Sequence, residues 1–182
     1  MILPKKFRQW MADIILKRKL KSVKREKHYF SWDDFRSIGI LTRMESEDDY
    51  KKIKVIASQL KKSGKEVQVI GYVPDKIIPS YLISSGIGYF FNMNDLNSFL
   101  IPKTDFINGF IDSEPEVLLD LSFSSSFVIK YIVGLSRAKM KIGNTDEIKS
   151  SFYDLMLQIE DESDVNHFLE QVKYYLSVIK SK

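Results

Sequence analysis

Between Ser37 and Val73 the sequence spells a strand, a helix and a second strand, each with its own stop signal. Ser37-Ile-Gly-Ile-Leu-Thr42 is a short apolar run of the buried-strand kind. Ser46, with Asp49 three residues on, marks a helix start, because a hydroxyl and a carboxylate at that spacing satisfy first-turn amides reciprocally. That helix runs to about Ser63, where Gly64 supplies the left-handed residue that ends it. Glu66-Val-Gln-Val-Ile-Gly-Tyr-Val73 follows as a strand with an alternating, partly exposed start, and Pro74 closes it because proline cannot donate to a ladder. Two strands joined through a helix lie parallel, with a right-handed crossover. A chain holding such a unit is steered toward an α/β sheet.

The rest of the chain extends this pattern. Gly88–Asn92 reads as a third strand, Lys103–Ile111 as a short amphipathic helix and Val117–Leu121 as a fourth strand. Serines 122, 124, 125 and 126 precede an apolar helix, Phe127–Leu135, as capping residues. Lys139–Ile142, closed by Gly143, is a fifth strand and Tyr153–Ile159 a sixth. The last helix carries Val165, Phe168, Leu169, Val172, Leu176 and Ile179 on one stripe. The expectation is an α/β fold: a Rossmann-like, mostly parallel sheet of five to six strands with helices on both faces. With 182 residues, one domain is natural, here residues 31–182, preceded by a basic amphipathic helix within residues 1–30.

That N-terminal segment holds the main compositional anomaly. Residues 1–27 carry ten Lys/Arg against Asp13 and Glu26, a balance of +8. The remaining 18 basic and 22 acidic residues leave the body at −4, so the net +4 of the chain describes its first segment. Over Lys5 to about Lys27, Phe7, Trp10, Met11, Ile14, Ile15, Leu20 and Val23 recur at helical spacing among Lys and Arg. Three readings stand. The helix could lie among anionic lipid headgroups, neutralise RNA or ribosomal phosphates, or pack on the domain with its charges solvated. The residues assigned to an anionic surface are Lys5, Lys6, Arg8, Trp10, Lys17, Arg18, Lys19, Lys21, Lys24 and Arg25.

Cysteine is absent, which excludes disulfides, thiolate metal sites and cysteine nucleophiles; His28 and His167 are the only histidines. Charge interrupts the first residues too often for a secretory signal, and no run spans a bilayer, so a cytoplasmic location is expected, peripheral to the inner face of the membrane if the helix binds lipid. No Ser/His/Asp set, P-loop or dinucleotide fingerprint is present, and Gly86-Ile-Gly88 lacks a preceding strand and a third glycine. Glu45, Glu47, Asp48 and Asp49 sit where acids complement a helix start, as do Glu160, Asp161, Glu162 and Asp164, so no metal and no cofactor is assigned. His167 lacks a partner ligand in its neighbourhood. Ligands of open parallel sheets bind beyond the strand carboxyl ends where strand order reverses, which nominates Thr42, Arg43, Asp120, Ser122, Ser124, Ser125 and Ser126 for a small anionic ligand.

Two resemblances bear on this. Ser37-Ile-Gly-Ile-Leu, Leu60-Lys-Lys-Ser-Gly-Lys-Glu-Val, Asn94-Asp-Leu-Asn97 with Pro102, Leu118-Leu-Asp-Leu-Ser122, Tyr131 through Gly143 and Phe152-Tyr-Asp-Leu-Met156 together resemble an uncharacterised family of Bacteroidota proteins, a domain of unknown function. Asp120-Leu121 followed by Leu135-Ser-Arg-Ala138 and Gly143 is similar to the N-terminal half of heptosyltransferase-like GT-B glycosyltransferases, although Leu41–Glu45 lacks the Gly-Asp pair of those enzymes. The first implies a bacterial cytoplasmic or membrane-peripheral protein. The second implies the fold, and an enzyme half that would need a partner subunit. The preferred expectation is a non-catalytic binding or adaptor domain tethered to an anionic surface, with a protein partner or homodimer left open.

Overall fold

In the computed structural model, residues 4–124, 126–145, 150–158 and 164–178 are described. Helix α1 (Lys5–Leu20) comes first, then β1 (Ser37–Arg43), α2 (Glu47–Lys62), β2 (Glu66–Tyr72), α3 (Ser80–Ile83) and β3 (Tyr89–Phe91). After them come α4 (Asp105–Asp112), β4 (Val117–Asp120), α5 (Phe127–Leu135), β5 (Met140–Asn144), β6 (Leu155–Leu157) and α6 (Val165–Val178). The six strands form one parallel sheet in the order β3-β2-β1-β4-β5-β6. Both edge strands have three residues, which leaves little ladder exposed for foreign pairing.

Alternation along the central strands divides the interior into two cores. Ile38 and Ile40 of β1, Val117 and Leu119 of β4, and Met140 and Ile142 of β5 face α2 and α6. Leu41, Ile70 and Leu118 face α4 and α5 on the other side. Such all-buried strands are what helices on both faces demand. Gly39 keeps the second face close, since a Cβ there would stand 3.2 Å from Phe110 and 3.3 Å from Pro115.

Most boundaries shift from the sequence reading by a residue or two, and those of β5, β6 and α1 differ in ways that bear on packing. Gly143 does not close β5, which continues to Asn144; its missing side chain admits the Tyr153 ring, 2.4 Å from where a Cβ would be. The sixth strand is confined to Leu155–Leu157, and Ile159, Glu160, Asp161, Glu162 and Ile179 lie outside the described residues. Helix α1 ends at Leu20 rather than near Lys27, because the chain then runs as a strap toward the amino end of β5.

That strap is fastened by a buried charge cluster. Arg25 pairs with the Asp154 carboxylate, Lys27 approaches it at 3.2 Å, and the Lys141 amide donates to it at 2.8 Å. The His28 amide then donates to the Lys139 carbonyl at 3.2 Å. Lys141 is 2 % exposed, and its amine donates to the last-turn carbonyls of Val133 (2.7 Å) and Gly134 (3.3 Å) in α5. Burial, with Arg25 and Lys27 adding repulsion against the opposing pull of Asp154, lowers its pKa to about 7. Between pH 7 and 10.5 the unfolded chain therefore holds a proton that the native chain has released, so Lys141 makes stability rise with pH across that window. Lys141→Met should flatten this rise, which unfolding by urea at several pH values from about 7 to 10 would read as a smaller slope than wild type; an unchanged slope would contradict the burial argument.

Candidate functional site

The order reversal lies between β1 and β4, where one crossover leads outward through α2 and the other through α5. Beyond their carboxyl ends opens a crevice of about 280 Å³. Thr42, Arg43 and Glu45 line it from the β1 side, Asp49 and Ile53 from α2, and Leu121, Phe123 and Ser124 from the segment after β4, with Val165 of α6 below. Thr42, Arg43 and Ser124 of the nominated set thus meet in one place.

The acidic groups there have local work. Asp49 accepts from the amides of Glu45 (3.0 Å) and Ser46 (2.9 Å), and the Ser46 hydroxyl accepts from the Asp49 amide (3.2 Å). This is the capping box anticipated from spacing, so the amino end of α2 is satisfied from within. Glu45 pairs with Arg43 at 2.6 Å. The Arg43 Nε is nonetheless buried without a hydrogen-bond partner, so this guanidinium keeps donor capacity beside the crevice. Ser126, outside the crevice lining, stands at the N-cap of α5 but makes no side-chain bond to the first turn, contrary to the capping role expected of the serine run. Ser125 lies outside the described residues.

Asp120 and Ser122 are not part of the crevice lining. Asp120 is 1 % exposed and accepts from the Ser122 amide at 2.8 Å and from the Tyr153 hydroxyl. Tyr153 belongs to the core on the α5 side, so Asp120 points there and ties β4 to the segment before β6. Its carboxylate organises the sheet rather than opening into the crevice. Sequence spacing could not reveal this, since its partner lies 33 residues away. Among the described residues no group of three or more acidic or histidine side chains is placed to hold a metal ion, and His167 is exposed.

The second candidate surface is α1. It packs on α5, with Ala12 (0 % exposed) and Leu16 (2 %) buried, Asp13 bridging Lys130 at 3.0 Å and the Lys19 amine donating to the Tyr131 hydroxyl at 2.7 Å. Neither Ala12 nor Leu16 was in the stripe read from sequence; their i, i+4 spacing with Leu20 was the available signal. The apolar residues therefore divide between two faces, Phe7 (43 %) and Trp10 (58 %) being exposed. Of the nominated cations, Arg8 donates to the Ser98 carbonyl (2.6 Å), Lys19, though exposed, is engaged by the Tyr131 hydroxyl, and Arg25 is paired with Asp154. Lys6, Lys17, Arg18, Lys21 and Lys24 are exposed, and Lys5 opens the helix. No described helix is long and apolar enough to cross a membrane.

Strand order, helices on both faces and a crevice at the reversal define a doubly wound α/β domain of Rossmann type. The chain belongs to a family of unknown function (DUF6913), whose family model matches residues 8–179. The match begins inside α1 and so includes its buried face. None of the curated proteins compared with the chain matches it.

The approach of Tyr153 to Asp120 depends on Gly143. Gly143→Ala should displace the ring from its carboxylate and cost about 1–3 kcal/mol. A drop in the thermal midpoint with a matching loss in Tyr153→Phe/Gly143→Ala no larger than in Gly143→Ala alone would show that the two act through one contact.

Proposed function

We propose that this chain is a non-catalytic binding domain held at an anionic surface by α1. The supporting observation is the division of labour along that helix. Its Ala12 and Leu16 side packs on α5, Arg8 fastens its first turns and Arg25 the strap behind it, and Lys6, Lys17, Arg18 and Lys21 remain exposed. Cations concentrated on one rigidly mounted element of an otherwise acidic protein create a local positive field, which orients the molecule toward anions more effectively than its net charge would. The crevice at Thr42, Arg43 and Ser124 is the place for a small anionic ligand, with Arg43 as the charge-bearing donor.

Retention on a sulfated polysaccharide matrix tests the first part. Wild type should elute at clearly higher salt than a Lys6→Glu/Lys17→Glu/Arg18→Glu/Lys21→Glu variant of equal thermal stability, and co-elution would refute the reading. Thermal shift with inorganic phosphate, nucleotides and nucleotide sugars tests the second. A ligand present at a hundred times its dissociation constant adds about 2.7 kcal/mol to stability. A shift lost in Arg43→Ala is the outcome expected; none across the panel would remove the crevice from the account. A response confined to nucleotide sugars would favour the enzyme half acting with a partner subunit.

A further inference from the structure

The outward face of α1 has a chemistry of its own. Helical periodicity sets Phe7, Trp10, Met11 and Ile14 roughly opposite the buried Ala12 and Leu16. Phe7 and Trp10 neighbour each other with ring centroids 5.8 Å apart, Met11 and Ile14 are partly exposed, and neither of the latter packs into the core beneath α5. Lys6, Lys17, Arg18 and Lys21 flank this strip. The first turn has no acidic residue, and Pro4 offers it no side-chain cap, so the positive end of the helix dipole adds to the same field.

From this we infer that the surface bound by α1 is an anionic lipid bilayer, with Phe7, Trp10, Met11 and Ile14 entering the headgroup–acyl boundary and the flanking Lys and Arg meeting lipid phosphates. This rests on the anionic-surface reading above and names the surface. RNA bases can stack on Phe7 and Trp10, but the aliphatic Met11 and Ile14 beside them, both partly exposed, offer no stacking face. A bilayer interface rewards both parts, since apolar side chains leave water while Lys and Arg stay at phosphate depth. Arg8 ties the first turns of α1 to Ser98, Leu16 near its other end is buried against α5, and Arg25 ties the strap behind it to Asp154, so the helix is presented as a fixed strip lying along the membrane plane.

The test uses the full chain with vesicles of phosphatidylcholine alone or mixed with phosphatidylglycerol, and poly(U) RNA as the competing polyanion. Binding to the mixed vesicles should shift tryptophan emission to the blue. Phe7→Ser, which keeps the Trp10 reporter, should reduce that shift, and Phe7→Ser/Trp10→Ser should weaken sedimentation with vesicles about tenfold or more, with the thermal midpoint unchanged because both side chains are exposed. The second tryptophan, Trp32, packs against Phe35 and supplies the unshifted background. Vesicle binding indifferent to the double substitution, or binding to poly(U) but not to vesicles, would overturn the bilayer inference while leaving the anionic-surface reading standing. Failure to bind either would remove both.

Discussion

The parallel pairing of β1 with β4 is the contact on which the rest of the molecule depends. Ile38 opposes Val117 and Leu41 opposes Asp120, and no other strand lies between the two halves of the sheet. From this pair the chain winds outward in both directions, through α2 to β2 and through α5 to β5. Each of the central strands β1, β2 and β4 shows one set of side chains to each helix layer, so the same backbone hydrogen bonds fix both cores. The crevice is a consequence of this geometry, because two crossovers departing to opposite faces leave a gap beyond the strand ends. Arg43, the last residue of β1, and Ser124, in the segment after β4, reach that gap because both lie past the end of the β1–β4 pairing.

Helix α1 adds a third element to the α4–α5 layer. Two small contacts decide its role. Ala12 and Leu16 give it an apolar seat on α5, and the Arg25–Asp154 pair, with Lys27 and the Lys141 amide on the same carboxylate, fastens the strap behind it. Asp154 has only 3 % of its side chain exposed, so removing one cation would leave a buried charge poorly compensated, which costs far more than a surface pair. Lys141 bears part of the desolvation of this arrangement, its pKa lowered to about 7 by burial under the end of α5. A seat that is narrow and an anchor that is strong together leave the opposite side of the helix for other use.

Much of the fold was legible because its signals are local. The Ser46/Asp49 capping box, Gly64 after α2 and Pro74 after β2 all act within a few residues, and the elements they bound appear where spacing placed them. The limits of legibility are equally physical. Gly143 reads locally as a strand stop, but it is a close-approach position whose reason, the Tyr153 ring, lies ten residues on. Asp120 looked like a ligand group at a strand end, and its actual partner is set by how β4 and the residues before β6 meet in space. The stripe on α1 looked single because hydrophobicity alone does not say which apolar residues face a neighbour. Only the packing on α5 separates Leu16, buried, from Trp10, exposed.

The central claim is that α1 is seated on the domain in the free protein and shows its aromatic face outward. Amide hydrogen exchange across α1 in the isolated, full-length chain addresses this directly. Amides from Gln9 to Leu20, past the unbonded first turn, should be protected to a degree comparable with α5, and Leu16→Ser should lower that protection while leaving β1 and β4 unchanged. Exchange of the whole segment at the rate of an unstructured chain would contradict the account, since a helix unseated from α5 has no defined outward face.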